Sequence, residues 1–239
     1  HCSDVACGLY KIFVEGECVI TNARTAELAK LTENSFRDVN IAFANELSTI
    51  CHKLDIDVWE LIALANRHPR VDILQPGTGV GGHCIAVDPW FIVNACPEEA
   101  RIIRAAREVN DAKPQWVLEQ IRESLNKHHQ ENPGQSRDQI KVACLGIAFK
   151  PDIDDLRESP ALGIAQQIIE LGAQVQIVEP NIEQLPNTLQ HANATLTSLE
   201  QAIREADVVS VLVKHRSFIE SIAAIQAKAH VVDAVGLLS

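Results

Sequence analysis

Residues 131–150 read ENPGQSRDQIKVACLGIAFK, and the fold class turns on that stretch. Glu131 to Gln139 is polar with Pro133-Gly134 inside it, which marks the best domain boundary in the chain. Lys141–Phe149 follows as an apolar strand with alternation around Val142, Cys144 and Gly146. Downstream, strand and helix take turns. The pattern predicts a helix over Ala161–Leu171 closed by Gly172, a strand over Gln174–Val178 and a helix over Leu199–Ala206. It continues with a buried strand over Val208–Val213, a helix over Phe218–Lys228 and a final strand over His230–Val235. Strands separated by helices predict a parallel sheet in an α/β layer.

Upstream of the hinge the period is helical. Leu28, Leu31, Phe36, Val39, Phe43, Leu47 and Ile50 recur at mostly three- and four-residue steps from Ala23 to about Lys53, which predicts a long, largely buried helix. Asp57 to Asn66 reads as a short helix with an acidic start, and Asp88-Pro89 opens another through Val93. Glu98 to about His129 is a long helical stretch in which Pro114 either kinks the helix or starts a new one. Residues 1–20 show no clear opening strand and look like the tail of something earlier. The fold class expected is α/β: an all-helical domain over 23–130, then a parallel-sheet domain over 139–239.

Composition narrows the classes. Of the 239 residues 46% are hydrophobic and 22% charged, enough for a globular core. The net charge of −11 argues against a nucleic-acid partner, though a local basic pocket for an anionic small ligand is compatible with it. No apolar run approaches the roughly 18 residues needed to span a membrane, and without a paired n-region and h-region no secretory signal is expected. The seven cysteines are scattered without a CxxC pair, so neither a disulfide framework nor a zinc ribbon is indicated, and a reducing cytosol fits. The chain contains no Met and begins at His1, which points to a fragment or a processed piece.

The chemistry concentrates in four places. Residues 77–88, GTGVGGHCIAVD, set four glycines before Cys84 and a carboxylate, Asp88, four residues after it. Glycine lets a ligand approach the backbone, so this cysteine is placed to meet a substrate; a glycine loop with a buried thiol is the plainer alternative. Lys30, Asn34 and Arg37 share one stripe of the first long helix, either facing a ligand or forming a solvated face with Glu27–Lys30 and Glu33–Arg37 pairs. Arg67, His68 and Arg70 lie just before the glycine loop, where they suit phosphate or carboxylate recognition or simply complement a helix end. The segment from Gly146 to Ser159 follows a strand, where an open parallel sheet places its ligand crevice, and it carries Phe149, Lys150 and Arg157. Gly77-x-Gly79-x-x-Gly82 matches a dinucleotide fingerprint as a string, but it lacks the preceding strand and has Pro76 in front. His83, Cys84 and Asp88 make a weak zinc site, so no metal is expected. Cys51, Cys96 and Cys144 sit in apolar patterns that predict core positions.

The segments AELAKLTENSFRDVNIAFANEL, PGTGVGGHCIAVDPWF, REVND and LGIAFKPDIDDLRESPA resemble the UDP-glucose/GDP-mannose dehydrogenase family in order and nearly end to end. The forms TENSFRDVNIAFANEL, NRHPRV and GGHCIAVDPWFIV look most like the branch acting on UDP-N-acetyl-D-mannosamine, with UDP-N-acetylglucosamine open as substrate. The resemblance implies an NAD-dependent, two-step oxidation of a C6 alcohol to a uronate, for surface polysaccharide precursors, in a cytoplasmic homodimer. The family has an N-terminal Rossmann domain for NAD, a helical middle that dimerises through the helix starting near Glu98, and a C-terminal Rossmann-like domain for the nucleotide-sugar. Residues 1–22 then correspond to the tail of the first domain. The glycine fingerprint for NAD is absent, and Asp233-Ala-Val-Gly236 is followed by Leu237, Leu238 and Ser239 where the family has an Arg.

By the same resemblance Cys84 is the nucleophile that forms a thiohemiacetal and then a thioester, Lys30 and Asn34 stabilise the thiolate and the oxyanion, and Asp88 serves the hydrolytic water. Arg37, His68, Arg70, Gly81, Phe149 and Lys150 correspond to substrate contacts, with Arg70 or His68 reaching across a dimer, and Arg157 to a cofactor contact. Catalytic silence of these residues on their own is expected. A non-catalytic nucleotide-sugar-binding or dimerisation module is the alternative.

Overall fold

A computed structural model describes residues 1–190 and 193–239. Its first half consists of α1 (Cys2–Tyr10), α2 (Ala23–Leu54), α3 (Val58–Ala65), α4 (Asp88–Ala95) and α5 (Arg101–Glu131). The Asn22 side chain caps α2 by accepting from the Thr25 N–H at 2.9 Å, and Asp55 ends it in the left-handed region at φ 56°. Asp57 caps α3 through Trp59 and Glu60. The opening segment is helical, and α1 buries none of its residues.

The face that α2 buries is not the apolar one. Asn34, Ser35, Asp38, Ala42, Ala44, Asn45, Ser48 and Cys51 are buried, whereas Leu28, Phe36, Phe43 and Ile50 are exposed, Phe36 at 69%. The cause lies on α5, which packs along α2 and offers Arg107, Asn110 and Lys113. Asp38 Oδ1 accepts from Arg107 at 2.6 Å and from Asn110 at 2.8 Å. Asn45 donates to Asn110 Oδ1 at 2.9 Å, and Lys113 donates to Ser48 Oγ at 2.5 Å. Buried polar groups need partners, and the matching set on each helix chose the facing surfaces.

Helix α5 continues through Pro114, and its surroundings change near there. Arg107 and Asn110 meet α2, while Val117, Leu118 and Ile121 lie in one buried cluster with the sheet residues Val142 and Cys144 and with Ile164. The helix therefore ties the two halves together on either side of the polar turn that follows it.

The second half is a five-stranded parallel sheet in the order β3-β2-β1-β4-β5: β1 (Lys141–Leu145), β2 (Gln174–Val178), β3 (Ala194–Leu196), β4 (Val208–Val211) and β5 (Val231–Asp233). Cys144 of β1 is in register with Ile177 on one side and Ser210 on the other. α6 (Pro160–Glu170) joins α5 on one face, and α7 (Leu199–Glu205) with α8 (Ile222–Gln226) covers the other. The predicted first strand is shorter than expected. It stops at Leu145 because Gly146 turns the chain at φ 85°, and a Cβ there would lie 2.4 Å from Val213 Cβ. β3, which the sequence pattern does not predict, is three residues long and only partly buried, too short for its alternation to mark a strand. The Phe218–Lys228 helix is instead a 3-10 segment, Arg216–Ser221, followed by α8. Cys51 and Cys144 are buried, but Cys96 is exposed just past the end of α4, contrary to the core position expected of it.

Candidate active site

Cys84 is exposed on the loop that leads into α4. Its carbonyl accepts the N–H of Asp88 at 2.8 Å and of Val87 at 3.0 Å, so thiol and carboxylate belong to one helical turn. Asp88 opens α4, and its Oδ2 accepts from the Asn34 amide at 2.5 Å. Asn34 is buried on α2, so the bond pins the start of α4 to the long helix.

The glycines before Cys84 are seated by both halves of the molecule. Gly77 N donates to Asn45 Oδ1 at 2.9 Å, which hangs the loop from the polar seam between α2 and α5. Gly82 N donates to the Arg157 carbonyl at 3.3 Å. A Cβ on Gly81 would lie 2.5 Å from the Glu158 carbonyl oxygen and 2.9 Å from Phe149 Cβ, so only glycine lets these backbones pass. The loop after β1 thus lies directly on the loop that presents the thiol.

Arg157 binds Asp155 through Nε at 2.9 Å and through a terminal nitrogen at 2.6 Å. These bonds hold the Asp155 carboxyl down to about 2. The Arg157 guanidinium is held above its ordinary value by its hydrogen bonds to Asp155, then by the Asp155 charge, and least by the Cys84 sulfur. The Arg157 carbonyl thus meets the glycine loop two residues before the thiol, while its guanidinium is held on Asp155.

Lys30, which the family resemblance assigns to stabilising the thiolate, pairs with Glu33 at 3.0 Å on an exposed face of α2. Arg37, His68 and Arg70 are exposed, and His68 Nδ1 accepts from the Arg70 N–H at 3.3 Å. Lys150 stands 5.7 Å from the centre of the Phe149 ring. The geometry thus joins Cys84, Asp88, Asn34, Gly81, Phe149 and Arg157 in one neighbourhood and leaves Lys30 in an ion pair of its own.

Three contributors carry only weak signals in the sequence. Asn45 hides among the apolar residues of α2, although Asn34, Asp38 and Asn45 recur on one stripe. Asp155 was one of several acids in DIDDLRES. Glu179 closes β2 and reaches back to the loop after β1, accepting from the N–H groups of Ile147 at 2.8 Å and Ala148 at 3.0 Å. A carboxylate just beyond a strand was the available signal for it.

Residues 24–112 match the central domain of the UDP-glucose/GDP-mannose dehydrogenase family, and residues 143–239 match its UDP binding domain. The chain is similar to a UDP-N-acetyl-D-mannosamine dehydrogenase of Campylobacter jejuni, 63% identical over 92% of this chain and 52% of the relative. It is 61% identical to a protein of that name from Salmonella typhimurium, over 91% of this chain and 51% of the relative. Among solved structures, the UDP-D-ManNAc dehydrogenase of Pyrococcus horikoshii superposes with a TM-score of 0.81 at 34% identity, covering 99% of this chain and 54% of that one. The chain spans about half the length of the curated relatives it matches.

Proposed function

The chain belongs to the UDP-glucose/GDP-mannose dehydrogenase family, and on that premise we propose that it is the C-terminal part of an NAD-dependent UDP-N-acetyl-D-mannosamine 6-dehydrogenase. The enzyme would be a cytoplasmic homodimer serving surface polysaccharide synthesis, joined through its helical domain, where Phe36, Phe43 and Ile50 form an exposed stripe on α2. The observation that carries the reading is the turn shared by Cys84 and Asp88. It is fixed by Asn34 and lies against the loop of the UDP binding domain.

The Cys84 thiolate adds to the C6 aldehyde carbon and makes a thiohemiacetal, whose oxyanion is stabilised by Asn34 and by Lys30 once it leaves its exposed pair with Glu33. After oxidation the acyl group stays on Sγ as a thioester. Asp88 takes a proton from water, which attacks the acyl carbon and releases the uronate and the thiol. Since Oδ2 is held by Asn34, Oδ1 is the atom assigned to that proton. Phe149, Lys150, Gly81, Arg37, His68 and Arg70 line the nucleotide-sugar path, with Arg70 or His68 reaching in from a second copy, and Arg157 adjoins the cofactor.

The described residues do not form a dinucleotide seat. Gly77-x-Gly79-x-x-Gly82 follows coil rather than a strand, and Gly79 and Gly82 pack against Pro114 and Phe149. No hydride step is assigned to them, and the chain on its own is expected to make no NADH. Calorimetric titration of the purified chain tests the substrate reading. UDP-N-acetylmannosamine should bind in preference to UDP-N-acetylglucosamine and GDP-mannose. Equal binding of all three would remove the sugar assignment, and absence of binding would remove the site.

A further inference from the structure

In an open parallel sheet the ligand crevice lies where neighbouring connections leave in opposite directions, here between β1 and β4. A nucleotide-binding sheet offers a phosphate the consecutive N–H groups of the turn after its first strand, because such a nest of donors attracts an anion. This chain builds the nest: Gly146 at φ 85° turns the N–H groups of Ile147 and Ala148 inward. The nest is already full. Glu179 Oε2 accepts from both N–H groups, at 2.8 and 3.0 Å, and lies 3.1 Å from His215 Nε2. Its Oε1 accepts from the Asn181 N–H and side-chain amide, each at 3.3 Å. The Glu179 and His215 side chains are both 0% exposed.

His215 is held in turn. The Asp152 N–H donates to its Nδ1 at 3.0 Å, with Asp152 in the left-handed region at φ 61° and bonded to the Arg216 N–H at 3.0 Å and to its Nε at 2.9 Å. Five donors therefore converge on one internal carboxylate, and the same bonds anchor both ends of the segment that carries Phe149 and Lys150.

We propose that Glu179 is a built-in anion that fills the phosphate seat of the sheet domain, so that the domain rejects dinucleotides and takes the diphosphate of a nucleotide-sugar outside the turn, beside Phe149 and Lys150. Glu179 is a positioning and specificity residue in this role. The second half of the statement rests on the nucleotide-sugar reading above, and the first half does not. Burial by itself raises the Glu179 pKa, yet the hydrogen bonds from His215, Ile147 and Ala148 outweigh it and hold the carboxyl below the ordinary carboxylate value, as suits a permanent anion.

The test uses the 239-residue chain and its Glu179→Ala and Glu179→Gln variants, with inorganic phosphate, formate, UDP and NAD as probes. Emptying the seat should make Glu179→Ala respond to added phosphate or formate with a rise in Tm that the wild type lacks. The same variant should bind UDP about tenfold more weakly, the scale of one lost buried acceptor, and formate should restore that affinity. Glu179→Gln keeps an oxygen in the seat and should show neither anion response. Equal anion responses in wild type and Glu179→Ala would overturn the proposal, and so would an Ala variant that neither anion stabilises or refolds. Detectable NAD binding by the wild-type chain through this turn would also overturn it. If wild-type chain fails to bind UDP, the nucleotide-sugar reading falls while the Tm comparison still decides the seat.

Discussion

Helix α5 lies against two surfaces built in opposite ways. Toward α2 it is held by buried hydrogen bonds and ions: Asp38 at 0% exposure, Arg107 at 1%, and Asn45 and Asn110 between them. Toward the sheet it is dry, with Val117, Leu118 and Ile121 packed among Val142, Ile164 and Ile168. The dry surface gains free energy in proportion to the apolar area buried, and side chains of similar size can be exchanged in it. The polar seam tolerates no such exchange, since each member leaves a partner unsatisfied. Its role is geometric: through Asn45 and Gly77 it fixes the loop that carries Cys84. Even as built it is not fully satisfied, because Asp38 Oδ2 and Arg107 Nε lack partners, and burial raises the Asp38 pKa despite the pull of Arg107 and Asn110.

Deleting one side of that ion pair should have the largest effect. Arg107→Ala is expected to lose about 3–5 kcal/mol in urea unfolding, because Asp38 is left charged and buried, whereas Arg107→Met combined with Asp38→Leu should recover most of it. A double variant as unstable as the single one would show that the seam contributes stability and not only register.

Truncation on the dry side comes next. Ile121→Ala should cost about 2–4 kcal/mol by the same measurement and leave the reaction of Cys84 with a thiol reagent unchanged. Faster modification of Cys84 would mean that the two surfaces are coupled. Cys144 offers an internal reference, since burial pushes its thiol up to about 12.

The smallest effect is a slope. Burial lowers the Lys113 pKa to about 7, although the Trp116 face 3.6 Å from its nitrogen and the Ser48 hydroxyl favour the charged form. Its unfolded value lies near 10.5, so unfolding takes up a proton between about pH 7 and 10.5. Stability should therefore rise with pH across that window and have no slope from this residue below it. Lys113→Met should remove up to about 1 kcal/mol per pH unit from the stability curve there. Parallel curves for the two proteins would place a charged, well-compensated lysine in the seam.

The halves also differed in how openly their sequences stated their structure. The sheet domain was legible in nearly every element, because a strand buried on both faces must be apolar and the helices between strands bear clear caps such as Ser159-Pro160 and Gly172. The helical half was legible in its periods and misleading in its faces. Phe36 and Phe43 repeat as core residues do, yet they are exposed, because hydrogen-bond complementarity with α5 decided which side of α2 turns inward. The motif residues Cys84, Asp88, Asn34, Gly81, Phe149 and Arg157 could be singled out one by one.

From the amino-acid order alone came the two-part plan, the parallel α/β class, the family and the residues worth watching. All of these depend on local period, punctuation and motif, which a linear pattern carries. Only the tertiary structure laid the Arg157 carbonyl on the glycine loop, hung that loop on Asn45 and put Glu179 in the nest after β1. Those facts depend on which distant donors and acceptors meet, and a buried polar group takes the partner that the fold brings within reach.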